Sequence, residues 1–299
     1  MGFGPVDGFR VAAFRVAAFR VAAFRVAAFR VAAFRAGGFA AAGFAAGGFA
    51  AAGFAAGGFG AGGMGTHRRL CGMPLPDRRS PSLRRLEEEI TACRRCPRLV
   101  AWREAVASRP RASFVGETYW GRPVPGFGDP DAGLAVVGLA PAAHGANRTG
   151  RIFTGDRSGD WLFAALWRAG YANQPTSHSK GDGLTLRGAW VTAAVRCAPP
   201  ANTPTPAERR ECLPYLRREL DLLTEVRVVV ALGQFACSAV AELCSLHPRP
   251  RFGHLAEHPL PGGRVLLCSY HPSQQNTFTG RLTEPMLDAV FTRARRLGG

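Results

Sequence analysis

Four cysteines stand where a single centre can be held. Cys93-Arg94-Arg95-Cys96 has the two-residue gap that lets both thiolates reach one site, and Cys197 and Cys212 flank the turn Ala198-Pro199-Pro200-Ala201-Asn202. Two such pairs suit a four-thiolate site, either a structural zinc or a [4Fe–4S] cluster, and spacing alone does not choose between them. A second group gathers in two loops. Gly138-Leu139-Ala140-Pro141-Ala142-Ala143-His144-Gly145 follows an apolar run, and its small residues let backbone amides approach a small planar ligand. His271-Pro272-Ser273 follows another and offers an imidazole on a rigid turn. Phe153 reads either as an aromatic face for a ligand or as core, and Asp156 either as an acid–base carboxylate or as the N-cap of the next helix. Cys237, Cys244 and Cys268 lie in apolar patterns and, with Cys71, read as small hydrophobes.

These groups need elements that bring loop ends together. Residues 134–139, 189–195, 226–232 and 264–269 are short runs rich in Val and Leu, as in strands buried on both faces. Helical patterns occupy residues 83–92, 97–108, 158–169, 206–223, 234–243 and 283–295. Pro206 fits a first helical turn, with Thr205 as N-cap and Glu208 in the capping-box position. The alternation predicts an α/β fold, a three-layer α/β/α sandwich around a central, mainly parallel four-stranded sheet. Both chemistry-bearing loops then leave carboxyl ends of strands, where open α/β sheets place their ligand crevice. Residues 172–188 are polar and contain glycine, and read as a surface loop.

Residues 83–299 form one domain, long enough to bury a core, after a linker over 66–82. Residues 1–65 differ. Phenylalanine recurs every five residues from Phe9 to Phe59, a step of about 140° on a helix, so no single face collects the rings. We expect a low-complexity, disordered repeat or a start placed upstream of the true one, with Met64 or Met73 as alternatives. Residues 36–63 carry no charge, but their glycine and alanine content argues against a membrane anchor or export signal. The chain carries 38 Lys+Arg, nearly all arginine, against 21 Asp+Glu, a net charge of +17. Removing residues 1–65 takes six arginines and Asp7 and still leaves +12. Such a balance favours a polyanionic partner, although arginine-rich codon usage produces it too. Eight cysteines are too sparse for a disulfide scaffold and fit metal ligation in a reducing compartment.

In order along the chain, the stretch from Gly138 to Asp156, including Arg151-Ile152-Phe153-Thr154-Gly155-Asp156, and the segment His271-Pro272-Ser273-Gln274-Gln275-Asn276 resemble the type-5 uracil-DNA glycosylases. This is an iron–sulfur-containing branch of the uracil-DNA glycosylase superfamily. The resemblance runs over residues 83–297, takes in the four cysteines and the Ala-Pro-Pro-x-Asn turn, and leaves the repeat unmatched. It implies a monofunctional enzyme of base-excision repair that hydrolyses the N-glycosidic bond of uracil in DNA, and of hypoxanthine and other deaminated bases. It also implies a [4Fe–4S] cluster on Cys93, Cys96, Cys197 and Cys212. DNA would be the partner of a cytoplasmic, nucleoid-associated monomer with no membrane attachment.

Roles follow from the same resemblance. Gly138, Ala140, Pro141 and Ala142 would line the base pocket, and Phe153 would stack on the flipped base. His271 would support negative charge on the departing base. Pro272, Ser273, Gln275 and Asn276 would press into the minor groove at the vacated position. Leu139 stands where the neighbouring, strictly uracil-directed type carries glutamate, and leucine cannot activate water. Asp156 therefore takes the carboxylate role, with Asn202 as a second polar candidate. The alternatives are that neighbouring type and a non-catalytic DNA-binding protein with a structural metal. A third relative, trapped covalently on its DNA, carries a basic insert that Asn147-Arg148-Thr149-Gly150-Arg151 lacks.

Overall fold

The structure, a computed structural model, describes residues 1–2 and 79–299. The expectations for the repeat and for most of the 66–82 linker lie outside these residues. Six strands form one sheet: β1 (Phe127–Gly128), β2 (Leu134–Gly138), β3 (Ala189–Ala193), β4 (Val228–Leu232), β5 (Glu257–Pro259) and β6 (Val265–Ser269). Their order is β1-β3-β2-β4-β6-β5. The inner four are parallel, with Leu134 opposite both Ala189 and Val228, and Val228 opposite Val265. The four expected strands are therefore the core of the sheet, and the four-stranded count is corrected to six. β1 and β5 pair antiparallel at the edges. Two and three residues, one of them Pro259, are too short and too polar to register as hydrophobic runs, and proline is tolerated at a sheet edge.

The helices are α1 (Pro81–Thr91), α2 (Pro97–Ser108), α3 (Ala146–Thr149), α4 (Arg157–Arg168), α5 (Pro206–Leu222), α6 (Gln234–Leu243), α7 (Gln274–Phe278) and α8 (Glu284–Gly298). Alternate residues along each inner strand point to opposite faces, which makes three layers. Val136, Val191 and Val230 pack with Leu162, Phe163 and Leu166 of α4 and Leu287, Val290 and Phe291 of α8. Ala135, Val137, Trp190 and Val229 pack with Leu216 and Leu220 of α5 and Ala236 and Val240 of α6. Cys237 and Cys268 belong to this second layer, buried with their Sγ atoms 3.0 Å apart. The Thr205–Glu208 capping box forms as the sequence predicts. α1 begins two residues before the helical pattern expected at 83–92, because Ser80 caps it by accepting from the Leu83 amide at 3.2 Å and Pro81 fills its first turn. Among the described residues no helix is long and apolar enough to cross a membrane.

After β2 the chain adds β3 on one side and then returns to place β4 on the other. That reversal opens a crevice at the carboxyl ends of the strands. The loops after β2, β4 and β6 all emerge there. The 172–188 segment is more than a surface loop. Arg151, 5% exposed, reaches both carboxylate oxygens of Asp182 at 2.8 Å and donates to Ser177 Oγ at 2.9 Å. The Gly155 amide donates to the Ser177 carbonyl at 2.8 Å. This staple fixes the turn that carries Phe153 and Asp156.

Candidate active site

Three glycines set the geometry of the crevice by what they lack. A Cβ on Gly138, the last residue of β2, would meet the Phe153 ring at 2.6 Å, so that ring lies directly over the strand end. A Cβ on Gly145 would collide with the Asp156 carboxylate. Gly233, just past β4 with φ +89°, lies against the Cβ of His271, where an added Cβ would approach within 3.2 Å. Phe153, Asp156 and His271 thus each press on the backbone of a neighbouring segment at the same end of the sheet.

Phe153 and His271 face each other with ring centroids 5.8 Å apart and planes inclined by 32°. Phe153 is buried and holds a φ of +54°, a strained conformation for a bulky residue that its surroundings must impose. The staple to residues 172–188 and the α4 N-terminus supply that constraint. Desolvation pushes the His271 imidazole down to about 4, so it is neutral near pH 7 and carries one N–H to donate. Asn276 Nδ2 donates to the His271 carbonyl at 2.9 Å and fixes the loop. The Asn276 side chain is thereby engaged inside the protein. Pro272 is buried, Ser273 is the N-cap of α7 and half-buried, and Gln275 is exposed.

Asp156 is the N-cap of α4, accepting from the Gly159 amide at 3.0 Å. Burial raises its carboxyl above the usual range, against the lowering pull of the Gly159 and Ser158 amides. One carboxylate thus caps α4 and lies in a desolvated position. In the first loop, Ala140 and Ala142 are half-buried and Pro141 is buried. Among the described residues, the Ala140, Ala142 and Ala143 amides donate to no protein group, whereas the Gly145 and Asn147 amides return to the Ala142 carbonyl at 3.3 and 3.0 Å. The loop thus presents free donors at a strand end. Asn202 is exposed in the 199–203 turn, with its amide donating to the Pro199 carbonyl at 3.2 Å. It and Ala201 hold positive φ values of +52° and +50°.

Cys96, Cys197 and Cys212 pack in one cluster behind the first loop, and Cys93 packs in a second one with Tyr215. Cys93 follows α1, Cys96 is the residue before α2, Cys197 lies beyond β3 and Cys212 is on α5. Burial, aided by the charges of neighbouring cysteines, raises the Cys96 thiol to about 11 and, against the pull of Arg103, the Cys197 thiol to about 12. Cys212 is raised by burial too. Ala140 packs on Cys197, Cys212 and Leu99, so this group supports the base of the loop. Among the described residues no three His, Cys, Asp or Glu side chains close around a single ion. The donor set fits an anionic thiolate centre in one telling respect: the buried Arg103 guanidinium points into it, donating to Cys197 Sγ at 3.4 Å. A cleft of about 730 Å³ opens nearby, between α1, the middle of α2 and Trp120–Arg122, and not over Phe153 and His271.

Sequence reasoning missed Gly145, Gly233, Arg103 and the Arg151–Asp182 staple. Gly145 and Arg151 left a signal, their place in the stretch from Gly138 to Asp156.

Comparison with known proteins agrees with this architecture. Residues 125–295 match the Uracil DNA glycosylase superfamily. The chain is 57% identical over 216 residues to a type-5 uracil-DNA glycosylase of Thermus thermophilus, covering 71% of this chain and 96% of that one. It is 54% identical over 221 residues to a type-5 uracil-DNA glycosylase of Mycobacterium tuberculosis, covering 73% and 82%. A type-4 uracil-DNA glycosylase of Pyrobaculum aerophilum is 31% identical over 196 residues, covering 64% and 83%. A chain with this sheet, this pair of loops and these relatives belongs to the uracil DNA glycosylase superfamily.

Proposed function

We propose that this protein is a monofunctional DNA glycosylase that hydrolyses the N-glycosidic bond of uracil in DNA and so initiates base-excision repair. The observation that carries the reading is the convergence of Phe153, Asp156 and His271 on one crevice, each against a glycine of a neighbouring segment. A base in a duplex is reachable only once flipped out of the stack. Phe153 gives the flipped base a platform, and the unpaired Ala140, Ala142 and Ala143 amides donate to its oxygens. As the bond breaks, electrons collect on the base. The neutral His271 N–H donates to the oxygen that takes up this charge, in a desolvated site where such a bond is strongest. Asp156, on the other side, orients water and offsets the positive charge of the sugar. Asn202 supplies a polar side chain on a preset turn, and Pro272, Ser273 and Gln275 form the edge that enters the minor groove.

Leu139 leaves the first loop without a carboxylate, which favours broader substrates, hypoxanthine among them. Cys93, Cys96, Cys197 and Cys212 hold a [4Fe–4S] cluster. Bound there, it would link the end of α1, the start of α2, the β3 end and α5; hydrolysis of a glycosidic bond would need no electron from it. The protein acts as a monomer in the nucleoid, and residues 1–63 are dispensable for excision.

The test is a single-turnover assay on oligonucleotides carrying uracil, hypoxanthine, xanthine or only normal bases, in single and double strands. Alkali-labile abasic sites should appear with uracil and with hypoxanthine. Tight binding without any abasic product would establish a binder instead, and excision of uracil alone would remove the broader specificity.

A further inference from the structure

Three arginines are buried among the described residues, and they are not alike. Arg196, 1% exposed, meets Glu219 at 2.6 Å, and Arg151 meets Asp182 at 2.8 Å. Arg103 on α2, 2% exposed, has no carboxylate as close. Its Nη1 donates to Cys197 Sγ at 3.4 Å and its Nη2 to the Cys93 carbonyl at 3.3 Å, while its Nε is buried with no acceptor. The nearest carboxylate, Glu104, stands 3.6 Å away, is 44% exposed and is already bound by Arg94. Guanidinium does not shed its proton in a protein, so a buried one requires an anion or costs several kcal/mol. Thiol sulfur and one carbonyl do not meet that need.

We propose that Arg103 is the counter-cation of the four-cysteine centre. The inference rests on the reading of Cys93, Cys96, Cys197 and Cys212 as metal ligands. Four thiolates around a core of charge +2 leave a net charge of −2, and that is the anion Arg103 is placed to meet. Its N–H donates to the Cys197 sulfur, which stabilises the thiolate and slows release of the metal. The same residue ties the centre to the reaction loop. The Arg103 carbonyl accepts from Asn147 Nδ2 at 3.2 Å, and Asn147 is fully buried in α3, immediately after Gly145. Arg103 is a positioning residue, acting on the sulfur ligands and on α3, without touching the base.

The experiment compares full-length wild type, Arg103→Met, Arg103→Lys, Glu104→Gln and Cys96→Ser, all purified without oxygen. Iron and sulfide content, release of iron to a chelator and the iron–sulfur stretching bands are the readouts. Wild type should hold stoichiometric iron and Cys96→Ser should lose it. Arg103→Met should release iron about 10–100-fold faster, matching the loss of metal affinity usual when a group supporting a ligand is removed. Glu104→Gln should release it at the wild-type rate, since that carboxylate is not the partner Arg103 needs. If Arg103→Met does not fold, Arg103→Lys decides: it keeps the charge but loses the forked donor, so its stretching bands should shift. Wild-type release from Arg103→Met, or unshifted bands in Arg103→Lys, overturns the role of Arg103 alone. Wild-type protein without iron, or iron retained in Cys96→Ser, overturns the ligand assignment itself.

Discussion

His271 and Asp156 respond to burial with opposite signs. The folded pKa of His271, about 4, is below the usual 6.5, so its contribution to stability is present above pH 6.5 and is lost as pH falls through 4. That difference corresponds to about 3 kcal/mol. Denaturant unfolding at pH 7 and pH 4 should therefore show wild type losing about 3 kcal/mol more than His271→Gln over this interval. In the excision assay His271→Ala should lower the single-turnover rate by about 10²–10³ with DNA affinity nearly intact. Asp156 is raised by burial, so its ionised form costs stability at neutral pH. Asparagine caps a helix as well as aspartate does. Asp156→Asn should thus melt at or above the wild-type temperature at pH 7 while excision falls by at least about 10²-fold. An unchanged rate would leave Asp156 as a cap alone. These residue types and their order were legible in the sequence. The contacts of Gly145 and Gly233 were not, because the property that matters is an absent Cβ, and only the packed partners reveal it.

At the level of elements, the four inner strands and six of the helices were readable because continuous Val- and Leu-rich runs and capping signals mark buried strands and helix starts locally. The edge strands β1 and β5 were not, since pairing with β3 and β6 defines them more than their own composition. The 172–188 segment is the surface loop its composition predicts, but its anchoring to Arg151 was not legible, for the same reason. Its polar residues form a buried network with Arg151 that lies 26 and 31 positions away at Ser177 and Asp182. Removing one partner of a buried ion pair leaves the other uncompensated, at a cost of about 3–5 kcal/mol. Asp182→Ala should therefore lower unfolding free energy by roughly 3 kcal/mol. Because the staple also holds the Phe153 turn, its excision rate at saturating DNA should fall, although no atom of Asp182 belongs to the crevice.

For the molecule as a whole, the excess of arginine predicts binding that weakens steeply with salt. Arg157 stacks over the exposed Phe278 at 4.6 Å, next to the His271 loop. If Arg157 contacts a phosphate, Arg157→Ala should reduce the slope of log K against log salt by about 1, measured on one duplex. The parallel order of β3, β2, β4 and β6 has a practical consequence at the far end of the sheet. Every loop of the crevice leaves a carboxyl end, so the exposed Thr224–Glu225 turn, which precedes β4, lies a full strand away, about 17 Å. That turn is a natural handle. An enzyme tethered to a surface through it, or carrying a fluorophore there, should hold its DNA-facing end outward and excise at the rate of the free protein, as single-molecule recordings on immobilised copies would register.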